Sequence, residues 1–248
     1  MKLNELRDYN ASLLQTTLFK DYCPNGVQVE GRAEVRRVAT AVTASQQVLD
    51  DAIAWGADAI LVHHGYFWRN EDACIVGIKK RRIAQLLKNE VSLLAYHLPL
   101  DAHAELGNNA CLGKLLGLVE QGRFGEQNVA CFGVLAIPQA LSLFAEQVGH
   151  GLQRTPQVIG DASKVMSRVG WCSGAAQGYF EAAIAQGVDV FLTGEISEAN
   201  FHLANETGVA FIAAGHHATE RLGVQALGEY LAGRFALEHR FFDQNNPV

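Results

Sequence analysis

Two histidines stand side by side in "ILVHHGYFW" (60–68), directly after three apolar residues. A polar group without a partner is costly in an apolar setting, so two adjacent imidazoles need two partners. Either His63 and His64 both face water at a turn, or a ligand in a cleft binds them. The chain has 9 histidines, and His97, His216 and His217 also stand at the ends of apolar runs. Two carboxylates keep them company. Asp101 follows His97 by four residues in "HLPLD", and Glu220 follows His216 by four in "GHHATE". A helix starting near residue 217 puts His216 and Glu220 on one face. That face continues as Val224, Leu227 and Leu231, so the polar pair lies at the inward end of an apolar stripe.

Imidazoles and carboxylates without thiolates suit Zn, Mn, Fe, Co or Ni. Three or more histidines with two carboxylates exceed what one tetrahedral ion needs, so the set predicts two divalent ions about 3.5–4 Å apart, sharing ligands. Taken singly, each fragment has a plainer reading: a polar strand end, a surface hydrogen bond, a turn. Their common placement at strand ends favours the metal reading. His97 is a candidate catalytic group; it could also orient Asp101 or act as a weak ligand. Glu195 in "TGEIS" is a candidate general base or a helix cap. The aromatics Tyr66, Phe67 and Trp68 could stack on a planar base or plug a strand end. "WCSGAAQG" (171–178) is a Gly-containing turn but not a phosphate loop.

The elements that must position these residues alternate. Strands are expected at 37–44, 58–64, 91–97, 129–137, 168–173, 189–194, 209–215 and 237–242. Helices are expected at 45–56, 77–89, 108–116, 138–149, 176–186, 197–206 and 217–232. Such alternation predicts an α/β fold with largely parallel sheets. Residues 37–62 align without a gap to 168–193, with 10 of 26 positions identical. This predicts two related α/β lobes, 1–125 and 126–248, with no inserted third domain. In open α/β sheets ligands bind beyond the carboxyl ends of strands, which places the metal site in the cleft between the lobes.

Composition narrows the function classes. Of 248 residues, 49% are hydrophobic and 19% charged, an ordinary globular balance. Lys and Arg number 20 against 26 Asp and Glu, a net charge of −6, which argues against nucleic acid as a partner. The basic run 79–82 reads as a solvated helix face. Five cysteines without a Cys-x-x-Cys pair read as reduced thiols, and together with an N-terminus unlike a signal peptide they point to the cytoplasm. No apolar run approaches the ~20 residues of a membrane span.

The segments "DYCPNGVQVEG" (21–31), "ILVHHGYFW", "YHLPLDAHAELGNNACLG" (96–113), "TGEIS" and "GHHATER" occur in this order. As a set they resemble the Nif-three-like family, which includes the GTP cyclohydrolase I type 2 homologues, and most of all its short bacterial members. The resemblance runs from about residue 4 to the C-terminus. It implies a dinuclear metal site whose ligands map onto His63, His64, Asp101, His216 and Glu220, choosing His216 over His217. It implies a toroidal homohexamer, a trimer of dimers, with the sites facing an internal cavity. The family name implies hydrolytic opening of the guanine imidazole ring of GTP: attack at C8, with a protonated side chain helping to expel the ring nitrogen. A nucleotide or phosphoester substrate is thus one expectation. Metal storage or delivery without turnover is the other.

Overall fold

The computed structural model describes residues 1–248. In chain order come α1 (Leu3–Leu13), β1 (Gly26–Val29), β2 (Arg37–Thr43), α2 (Gln46–Trp55), β3 (Ala59–His64), α3 (Gly77–Lys88), β4 (Ser92–Ala95) and α4 (Leu98–Ala102). Then follow α5 (Asn108–Leu115), β5 (Leu118–Phe124), β6 (Ala130–Ala140), α6 (Leu141–Leu152), β7 (Gln157–Ile159), β8 (Val165–Trp171) and α7 (Phe180–Ala185). The chain closes with β9 (Val190–Thr193), α8 (Glu198–Thr207), β10 (Ala210–Ala213), α9 (His216–Phe235) and β11 (Glu238–Phe241). No helix is long and apolar enough to cross a membrane.

Two compact units result: residues 1–107 with 223–245, and residues 108–222 with 246–248. The break falls at Gly107–Asn108, not near residue 125, because β5 pairs antiparallel with β6 and so commits 118–124 to the second sheet. The second departure from the expected halves lies inside α9, which starts in the second unit and ends in the first.

The first unit is built on a five-stranded sheet in the order β1-β4-β3-β2-β11. The β4-β3, β3-β2 and β2-β11 pairings are parallel, and β1 closes one edge antiparallel. Side chains alternate across a strand, and here both faces are covered, so the strands read as apolar runs without a polar face. Ala39, Ala41, Ile60, Val62 and Leu93 pack with Val48, Leu49 and Ala52 of α2 and with Ile83 and Leu86 of α3. On the other face, Val38, Val42, Leu61 and Leu94 meet Leu6 of α1 and the α9 stripe Val224, Leu227 and Leu231. Truncating one such leucine to alanine costs about 2–5 kcal/mol.

The second unit holds a six-stranded sheet, β5-β6-β8-β9-β10-β7. Its centre, β8-β9-β10, is parallel, while β5-β6, β6-β8 and β10-β7 are antiparallel. This sheet is more mixed than alternation alone suggests. Val169, Trp171, Val190, Leu192 and Ile212 pack with Phe144 and Val148 of α6 and Leu112 of α5. Phe180, Phe191 and Phe211 form an aromatic cluster, with ring centroids 4.9–6.0 Å apart.

The ungapped match between 37–62 and 168–193 corresponds to matching structure. Each segment runs strand, helical segment, strand: β2, α2, β3 in the first unit and β8, α7, β9 in the second. Both helical segments end in a left-handed glycine, Gly56 (φ 84°) and Gly187 (φ 71°), whose N–H donates to the carbonyl of Ile53 and Ile184 respectively.

Candidate metal centre

The strand β3 ends on His63 and His64, the paired histidines of the opening motif. His63 is fully buried, and its Nδ1 lies 2.9 Å from the Tyr96 carbonyl. A carbonyl only accepts, so Nδ1 carries a proton and Nε2 is the ring nitrogen turned away from the Tyr96 carbonyl. That Nε2 is 3.5 Å from Oδ1 of Asp101. A buried imidazole nitrogen thus faces a buried carboxylate oxygen, two groups of the types that bind divalent cations. His64 Nδ1 is 3.1 Å from the Thr43 hydroxyl.

Asp101 reaches this place through the short helix α4, with Pro99 in its first turn. Proline suits a helix start because its missing N–H has no partner to lose there. The carbonyl of His97 accepts from Leu100 N at 2.8 Å and Asp101 N at 3.1 Å, which turns the Asp101 carboxylate inward, where it is 8% exposed. His97 sits just before α4. Its ring centroid is 4.9 Å from that of His63 and 5.8 Å from that of His64. One ligand atom from each of the three rings lies within 4.8 Å of the others. Trp68 stands edge-on to His97, with centroids 5.1 Å apart, and 5.9 Å from the His64 ring. The aromatic run therefore walls the histidines, and Phe67 beside it takes φ 64°, a costly conformation for an aromatic residue.

In the second unit α9 opens at His216, one residue earlier than expected. His216 Nε2 is 3.2 Å from Glu220 Oε1 on the next turn. Its Nδ1 is 2.6 Å from Glu195 Oε1, and Glu195 lies two residues beyond the end of β9. Burial alone would lower the pKa of His216. The Glu220 and Glu195 carboxylates override it and push the imidazole up to about 9. Gly174 lets this pair form: it takes φ +66°, and a Cβ there would strike the Glu220 carboxylate. The Thr219 hydroxyl fixes the same turn by accepting from Gly174 N at 2.9 Å. His217, the alternative to His216, is also buried, and its backbone N–H donates to the Val248 carbonyl at 3.0 Å.

The donor set fits divalent metal. In His63, His64 and His216 alike, Nδ1 is held by a carbonyl, a hydroxyl or a carboxylate, and Nε2 faces Asp101 in His63 and Glu220 in His216. This is the outer support that metal-binding imidazoles use. The sequence placed His97 beside Asp101. The carboxylate its ring meets is instead Asp21, with Nδ1 2.7 Å from Oδ1. Asp21 was not a candidate, because nothing in "DYCPN" signals a contact 76 residues away. Cys23 also lies near Asp21 and His97. Burial and the Asp21 charge push its thiol up to about 12, so it is a neutral thiol at physiological pH and a poor ligand.

A two-sheet α/β protein with imidazole and carboxylate clusters at the carboxyl ends of its parallel strands defines the class. The chain belongs to the Duf34/NIF3 (NGG1p interacting factor 3) family, whose model matches residues 1–247. It is 56% identical over 235 residues to a protein of Neisseria meningitidis serogroup B, covering 95% of this chain and 94% of the relative, and 54% identical over 238 residues to one of Pseudomonas aeruginosa, with the same coverage. Both relatives are named GTP cyclohydrolase 1 type 2 homolog. Among solved structures it is similar to the protein ybgI, with TM-score 0.97 and 45% identity over 100% of both chains. TTHA1606 of Thermus thermophilus matches with TM-score 0.89 and 34% identity, again over 100% of both chains.

Proposed function

We propose that this protein binds two divalent metal ions through His63, His64, Asp101, His216 and Glu220, and uses them in hydrolysis of a nucleotide or related phosphoester. The observation that carries this reading is His63: its Nδ1 is committed to a carbonyl while Nε2 faces a buried carboxylate oxygen. The naming of the relatives as GTP cyclohydrolase 1 type 2 homologs supports ring opening of GTP as the first activity to try. The ions would supply Lewis acidity. The chain's own groups would do the rest. Glu195 orients His216, His97 accepts or returns a proton at Nε2, and Trp68 offers a face to a planar base. The resemblance to short bacterial family members supports a homohexamer, to be tested by light scattering in solution.

The first test pairs two measurements on one gel-filtered sample. Metals per chain are counted by mass spectrometry, and the protein is then incubated with GTP and a panel of nucleotides. About two metals with metal-dependent ring opening or phosphate release supports the hydrolase. About two metals without turnover, passing readily to a chelator, supports metal storage or delivery instead. A metal-free protein that takes up none on incubation with zinc or manganese overturns both.

A further inference from the structure

We infer that Asp21 is a positioning residue that fixes the orientation and tautomer of His97. The side chain of Asp21 is 3% exposed and its acceptor sites are filled from several directions. Oδ1 is 2.7 Å from His97 Nδ1 and accepts from Tyr22 N at 2.6 Å. Oδ2 accepts from Asn25 Nδ2 at 2.8 Å and from Leu98 N at 2.9 Å. Three of these four partners can only donate, so the carboxylate is an acceptor throughout and leaves no room for a proton of its own. The fourth contact, from His97, must then also be a donation. Nδ1 of His97 carries hydrogen, and in the neutral ring Nε2 is the nitrogen left to accept.

The same turn grips His97 from a second side. Asn25 Oδ1 accepts the His97 backbone N–H at 2.8 Å, and Arg69 reaches across to donate to the Asp21 carbonyl at 2.7 Å. Residues 21–25 therefore hold the ring and backbone of His97 together, and the Arg69 bond ties the turn to the segment that carries Trp68. A histidine free in water favours the opposite tautomer, with hydrogen on Nε2. Asp21 reverses that preference, so that an acceptor nitrogen is presented beside the His63–His64 pair. The functional weight of this arrangement rests on the proposed metal site, but the tautomer does not.

The test is imidazole nitrogen NMR on the 15N-labelled, metal-free full chain, with His97 assigned by its loss in His97→Gln. The expected wild-type pattern is a protonated Nδ1 and an acceptor-type Nε2. In Asp21→Ala the pattern should invert toward Nε2–H. Asn25→Ala removes the acceptor of the His97 backbone N–H and one donor to Asp21 Oδ2, but keeps the Oδ1–Nδ1 contact, and should leave the tautomer as in wild type. Zinc per chain, by elemental analysis, should be unchanged in Asp21→Ala. A wild-type His97 with hydrogen on Nε2 overturns the inference even if Asp21→Ala does not fold. So does an unchanged His97 pattern in a folded Asp21→Ala protein. If the wild type binds no zinc while the tautomer result holds, the metal reading fails and the Asp21 assignment stands.

Discussion

Asp58 and Asp189 make the same bonds in the two units. Oδ2 of Asp58 accepts from the backbone N–H groups of Arg36 and Arg37 at 2.8 and 2.9 Å. Oδ2 of Asp189 accepts from Ser167 and Arg168, both at 2.9 Å. The backbones repeat the pattern as well. Asp58 N donates to Arg37 O and Asp58 O accepts from Ser92 N; Asp189 N donates to Arg168 O and Asp189 O accepts from Ala210 N. One aspartate thus ties three adjacent strands together in each sheet. Shared hydrophobic rhythm does not produce a matched set of bonds of this kind, which favours duplication over coincidence.

It follows that Asp58→Ala and Asp189→Ala should destabilise to similar extents. Each strands two backbone donors, a cost of about 1–3 kcal/mol per group left unsatisfied. Asp58 also pairs with Arg32 at 2.9 Å, but the Arg32 side chain is 45% exposed and the pair adds little. Urea denaturation of both variants measures the two losses. A neutral result at either position would contradict the equivalence.

Asp101→Ala and Glu220→Ala should each lose at least one metal ion while the fold survives. The carboxylates lie on α4 and α9 and contribute acceptors, not core volume. Elemental analysis beside circular dichroism reads both properties. Full occupancy in both variants would show that the ligand set is wrong.

Gly174→Ala should mimic Glu220→Ala with every ligand residue still in the sequence. The left-handed backbone there costs an alanine about 1 kcal/mol, and the added methyl displaces the Glu220 carboxylate. Metal content should fall while the melting temperature drops only modestly. Retained metal would mean that Glu220 has somewhere else to go.

The C-terminal strand carries a pH dependence of its own. Burial holds the pKa of His239 below its ordinary 6.5, and its Nε2 lies 2.8 Å from the Thr40 hydroxyl. The folded protein therefore favours the neutral ring. That contribution is present above the unfolded pKa near 6.5 and is lost as the pH falls through the lower folded value. Wild type should lose denaturant resistance on acidification through this window, and His239→Gln should lose less. Parallel pH profiles for the two proteins would discount His239.

Much of this was legible in the sequence for a physical reason. Buried parallel strands are apolar runs, ligands gather at their carboxyl ends, and His216 with Glu220 obeys helical spacing. The repeat was legible because Arg37, Ala52, Gly56 and Asp58 recur at constant offset. What escaped depends on pairing between distant residues. Strand β1 and strand β7 are short edges that are defined by their antiparallel neighbours β4 and β10. Asp21 meets His97 only after the turn at 21–25 folds back onto the end of β4. The Glu195–His216 bond was hidden in the same way, since "TGEIS" reads equally well as a helix cap.

The path of α9 carries a consequence for how this chain is inherited and cut. Its first turns bear His216 and Glu220 in the second unit, and its later turns supply Val224, Leu227 and Leu231 to the core of the first. The second unit is spliced into the first like a clause inside a sentence. A fragment ending at residue 107 has no α9 stripe to cover one face of its sheet, and a fragment beginning at 108 drags along a helix half with no core to fill. A cut at the boundary between the units therefore leaves neither with a whole core.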